Sequence, residues 1–75
     1  MVYRTIVGHS NDDGTISILS SRNAVDLGLA EELAESWFNR LIGFESDQVG
    51  IVDYVGLQRW DNESDEWVNM SEFEG

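Results

Sequence analysis

The sequence predicts an α+β fold of two layers, ββαββ in order, with one helix packed on a four-stranded, mainly antiparallel sheet. Three observations carry that prediction. Apolar residues recur every four positions from Leu29 to Leu41. β-branched and aromatic residues concentrate in segments on both sides of that stretch. Each flanking pair of segments is joined by turn residues, Asp13-Gly14 in the first half and Asp61-Asn62-Glu63-Ser64-Asp65 in the second.

The elements follow in order. Val2 to Gly8 places Val2, Tyr3, Ile6 and Val7 around Arg4 and Thr5, a pattern suited to a strand buried mostly on both faces or lying at a sheet centre. Ser10 to Gly14 supplies a turn, with Asp13-Gly14 tolerant of positive φ, and Thr15 to Leu19 resumes as the second strand of a hairpin. Ser20 to Asn23 is a polar break before the helix. There Leu29, Leu33, Trp37 and Leu41, with Ala30, Ala34 and Phe38, form one apolar face, and Glu31, Glu32, Glu35 and Asn39 the other. Asn23 with Asp26 three residues on has the form of a capping box, which leaves Gly28 in the first turns at a cost of ~1 kcal/mol relative to Ala. The carboxylates gather early, Arg40 stands in the last turn and Gly43 suits a C-terminal cap, so the helix ends near Ile42. After a loop from Gly43 to Gln48, Val49 to Trp60 is read as one long strand, and Glu66 to Met70 as its hairpin partner. No proline, repeat or low-complexity tract divides the chain, and residues 1–75 are treated as one unit.

Composition bounds the function. Fifteen Asp and Glu stand against four Arg and no Lys, a formal net charge of −11. Such a surface repels nucleic acid and anionic membranes, because phosphate contacts need cations. Hydrophobic content of 41% with 11% aromatics points to a folded domain, since acidic disordered chains are poor in aromatics. At this size folding buries only ~60% of the unfolded surface, so stability is marginal. Without cysteine there is neither disulfide nor thiolate metal site, and His9 alone cannot build a zinc centre. The start lacks a basic segment followed by an apolar one, and no apolar run approaches the ~20 residues of a membrane span. The expected location is the cytoplasm.

Catalysis is not expected. His9 and Ser10 are adjacent on a strand and point to opposite faces, so they do not make a base and nucleophile pair. The carboxylates sit in turns and on a solvated helix face, where nothing raises a pKa for general acid work. The glycines are scattered and form no phosphate loop, so no cofactor is expected. Asp61, Glu63, Asp65, Asn69 and Glu72 fall at spacings that resemble the ligand positions of an EF-hand calcium loop. Glu66 stands where that loop needs glycine, and the flanks are strand-like, so an acidic hairpin turn is expected and no metal site is assigned. Trp60 and Trp67 bracket this turn as a cross-strand pair worth roughly 0.2–1 kcal/mol. The alternative use of Trp60 is as an exposed anchor.

The carboxylates carry the functional expectation. Asp61, Glu63, Asp65 and Glu66 near the last turn, and Glu31, Glu32 and Glu35 on the helix, are the candidate partner-binding residues, with Trp60. An extended stretch through Asp61, Glu63 and Asp65 would space charges ~6.6 Å apart on one face and imitate a phosphate backbone. In size and charge the chain resembles small phage-encoded inhibitors of restriction and CRISPR nucleases. No stretch of sequence carries that likeness, so it implies no residue's role. The expected partner is a basic, nucleic-acid-binding protein, engaged by a non-catalytic module that occupies its basic surface. The alternative is a housekeeping or structural interaction domain whose acidity is an adaptation to salt, making contacts through aromatics such as Tyr54 or Trp60 on the open sheet face. An unprotected sheet edge would favour a homodimer by strand addition.

Overall fold

The computed structural model describes residues 1–74. Its elements are β1 (Tyr3–Ser10), β2 (Ile16–Ala24), α1 (Leu27–Leu41), β3 (Glu45–Ser46), β4 (Gly50–Ile51), β5 (Tyr54–Asp61) and β6 (Glu66–Glu74). The main sheet runs β2-β1-β5-β6, each neighbouring pair antiparallel, and β3-β4 forms a separate small hairpin. The α+β architecture of one helix on a four-stranded antiparallel sheet is thus the observed one.

The two hairpins meet at the centre through β1 and β5, with Val7 opposite Val55 and Thr5 opposite Leu57. Alternation then sorts the side chains. Thr5, Val7, Val55 and Leu57 face α1, and all four are buried. The helix answers with Ala30 and Ala34, 1% and 0% exposed. These small residues let its backbone approach the sheet closely enough for Thr5 Oγ1 to donate to the Ala30 carbonyl at 2.9 Å. Val52 joins the buried core, and Leu19, Trp37, Phe38, Leu41, Ile42 and Val49 pack around it.

Several boundaries differ from those expected. The helix begins at Leu27, capped by Asp26, whose Oδ1 accepts from the amides of Gly28 at 2.7 Å and Leu29 at 3.4 Å. Asn23 instead lies in β2 opposite Arg4. Starting there puts Gly28 in the first turn, where Asp26 satisfies its amide. No carboxylate lies in that first turn, and Leu29 is 60% exposed, because the seam against the sheet follows Ala30 and Ala34.

The polar break at Ser20 to Asn23 is strand: β2 is an edge with mostly exposed side chains, so its pairing does not require apolar residues. Val49 to Trp60 is not continuous. Gly50, at φ 89°, turns the chain, and Val52 donates to the Phe44 carbonyl while Gly43 donates to that of Val52, which breaks the segment into β4 and β5. β6 runs on past Met70 to Glu74. The helix does end as expected, with Ile42 as its cap and Gly43 at φ 90°.

Candidate functional site

The face of the sheet away from α1 is covered by its own side chains. The Tyr54 ring fills the space above Gly56, where a Cβ would meet it at 2.8 Å, and Tyr54 and Ile6 are only 3% and 2% exposed. Tyr54 is therefore not the exposed contact anticipated for this face. Beyond it Trp60 and Trp67 pair edge to face across β5 and β6, ring centroids 5.3 Å apart, and both are half-buried. The Arg4 guanidinium stands 4.5 Å above the Trp67 ring and donates through Nε to Gln58 Oε1 at 2.6 Å. Gln58 donates in turn to Asn69, and Asn69 to Glu72. This chain of amides crosses from β1 to β6. Partial burial holds the Arg4 guanidinium below its ordinary value, and it remains charged at neutral pH.

The last turn is tighter than an extended row. Asp61 ends β5, residues 62–65 turn, and Glu66 opens β6, with Asp65 in the left-handed region at φ 50°. Asp61 folds back over it, Oδ1 accepting from the Glu63 amide at 3.0 Å and Oδ2 from the Ser64 hydroxyl at 2.9 Å. These bonds hold the Asp61 carboxyl below its ordinary value, with Arg59 adding a smaller pull. Asp61, Glu63 and Asp65 consequently cluster around a turn instead of repeating along one strand face. Asp61 stands directly across from Glu66, a like-charge pair in the ladder. The calcium-loop likeness falls on this hairpin, and among the described residues no three metal-binding side chains converge.

Glu31, Glu32 and Glu35 are exposed and make no hydrogen bond or ion pair among the described residues. They line a groove of about 570 Å³ between α1 and β6 whose apolar wall is Phe38, Leu57, Met70 and Phe73. The groove arises because α1 lies over β1 and β5, and reaches β6 through Phe38, whose ring is 6.0 Å from that of Phe73. The register of β6 shifts between Asn69 and Ser71, so Met70 is the extra residue of a bulge. Met70 and Phe73 are 41% and 39% exposed. Neither was singled out from sequence. The available signal was parity: Trp67 and Asn69 share one face and Ser71 and Phe73 the other, which requires one inserted residue.

Charge is distributed unevenly. Nine of the fifteen carboxylates belong to α1 and the β5–β6 hairpin, whereas β2 has none and carries Arg22. The one contact between a basic and an acidic side chain within 4 Å among the described residues is His9 Nδ1 to Asp53 Oδ2 at 3.5 Å, charged on both sides only when the imidazole is protonated. His9 Nδ1 also meets the Ile51 carbonyl at 2.9 Å, and the Ser10 amide donates to Asp53 Oδ1, so His9 and Ser10 tie β1 to the β4–β5 junction. Both edge strands contain a bulge. Among the described residues no helix is long and apolar enough to cross a membrane. The chain matches no protein-family model, no curated protein and no solved structure.

Proposed function

We propose that the protein is an acidic binding module that engages a basic protein through the flank formed by α1 and the β5–β6 hairpin, in competition with nucleic acid for the same basic surface. The observation that carries this reading is the uneven charge: the exposed Glu31, Glu32 and Glu35 of α1 and the acids of the β5–β6 turn stand on elements other than β2, the opposite edge strand, which has no carboxylate. The carboxylates of the helix are left without internal cations, so their field projects outward and accelerates encounter with an opposite charge. The mimicry involved is one of charge density, because the turn does not space its carboxylates as a strand would.

The test is capture from nuclease-treated lysate with the purified chain as bait, beside a variant carrying Asp61→Asn, Glu63→Gln and Asp65→Asn. The expected result is one predominant basic nucleic-acid-handling protein, released by added DNA and lost with the variant. Capture that ignores both DNA and the substitutions sinks this function.

A further inference from the structure

We propose that the groove between α1 and β6 is the docking site for an amphipathic, basic helix of the partner. This rests on the binding role proposed above and deepens it by assigning the contact that gives specificity. The groove has the two features such a ligand needs. Its wall presents Phe38, Leu57, Met70 and Phe73, and its helix side presents Glu31 and Glu35 with no Lys or Arg among the lining residues. A cationic ligand is therefore favoured, and a second copy of this chain, at −11, is repelled.

The helical form of the ligand follows from geometry. Glu31 and Glu35 are one turn apart on α1, about 6 Å along its axis. Lys or Arg residues four apart on a facing helix have the same spacing, and the apolar stripe of that helix then turns toward Met70 and Phe73. An added strand fits less well, because the bulge at Met70 interrupts the regular ladder a strand requires. The groove is lined by side chains, which suits insertion of apolar anchors into it.

The probe is a fluorescent, acetylated peptide with Leu at helical i, i+3, i+4 and i+7 positions and Lys or Arg elsewhere, its binding to the full chain followed by anisotropy. A scrambled peptide of the same composition is the control for charge alone. Met70→Ser and the pair Glu31→Gln/Glu35→Gln replace exposed side chains, and circular dichroism verifies that the fold is kept. Each is expected to weaken the probe about tenfold, and scrambling to do the same. The pair Glu45→Gln/Asp47→Asn removes the same charge away from the groove and is expected to leave binding within about twofold. No binding by the parent chain, equal weakening by both charge pairs, or indifference to Met70→Ser overturns the groove as the site. So does a dimer in sedimentation that Met70→Ser dissociates. If the parent chain captures a basic protein from lysate and Met70→Ser captures it equally well, the groove is wrong and the acidic-flank function stands; if the peptide binds as expected and no basic protein is captured, the function is wrong.

Discussion

The two hairpins of the sheet are alike in outline and opposite in construction. Each places a nine-residue strand at an edge, β2 or β6, and each contains one register shift. The first brings two backbones closest together, and its side-chain hydrogen bonds gather at the turn, from Asn11 and Asp13. At its bulge Gly8 lies so close to β2 that a Cβ there would collide with the Ser17 carbonyl. Its turn is closed by the Asn11 amide to the Thr15 carbonyl at 2.9 Å and by Asp13 Oδ1, which accepts from the Thr15 amide and hydroxyl. The second is held by side chains: Trp60 on Trp67, Gln58 on Asn69, and Arg4 reaching over from β1. The difference teaches where change is tolerated. A seam of close backbones excludes a single added carbon, whereas a seam of side chains loses stability in portions and leaves its outer surface available for charge.

The largest expected effect breaks the first hairpin. Gly8→Ala forces the backbone of β2 away from β1, because the clash is with a carbonyl and not with a flexible side chain. It is expected to cost about 3 kcal/mol, a large share of the stability of a domain of this size, and the shift of the urea midpoint measures it. A midpoint unchanged from the parent would show that the bulge yields at little cost and would erase the contrast.

A smaller effect is expected in the second hairpin. Trp67→Ala removes the edge-to-face pair and the Arg4 contact from a half-buried position, at about 2 kcal/mol. The fold persists in weakened form, with loss of the near-ultraviolet signal of the coupled indoles. Complete unfolding by Trp67→Ala together with tolerance of Gly8→Ala would reverse the assignment of backbone to one hairpin and side chains to the other.

The smallest effect is one of pH. Asp13 in the first turn and Asp61 in the second are both held below the ordinary carboxyl value, Asp13 chiefly by Thr15 and Asp61 chiefly by the Glu63 amide and Ser64. Because the folded-state pKa is lowered, each contributes stability above its unfolded value near ~3.9 and loses it as the pH falls through the lower folded value. Carboxyl-carbon NMR is expected to show both titrating below that value. Asp13→Asn and Asp61→Asn should each shrink the part of the acid-side slope that belongs to its own hairpin. An unshifted Asp61 would mean that its bonds to the Glu63 amide and the Ser64 hydroxyl are not kept in solution.

Much of the fold was legible in the sequence because it depends on local chemistry. The four-residue period from Leu29 to Leu41 specified α1, Asp13-Gly14 specified the first turn, and Trp60 and Trp67 on either side of a polar turn specified their own pairing. The polar residues of β2 were not legible as strand, since an edge takes its conformation from the neighbour it pairs with. The start of α1 was obscured by two capping-type residues three positions apart, Asn23 and Asp26, and only Asp26, whose carboxylate reaches the free amides, serves as the cap.

The candidate site divides the same way. Charge is a property of composition, so the sequence by itself determined that the protein is strongly acidic and that Glu31, Glu32 and Glu35 face away from the core. It also determined the α+β class, because periodicity and turn residues act over a few positions. Only the tertiary structure decided that Asp61, Glu63 and Asp65 gather around a turn, that Tyr54 closes the open face over Gly56, and that Met70 and Phe73 of β6 meet Phe38 of α1 beside the helix carboxylates. Those outcomes depend on a bulge, on small alanines that bring the helix close, and on pairing between segments far apart in the chain. Such contacts are set by packing across the whole sheet, and no local pattern of residues encodes them.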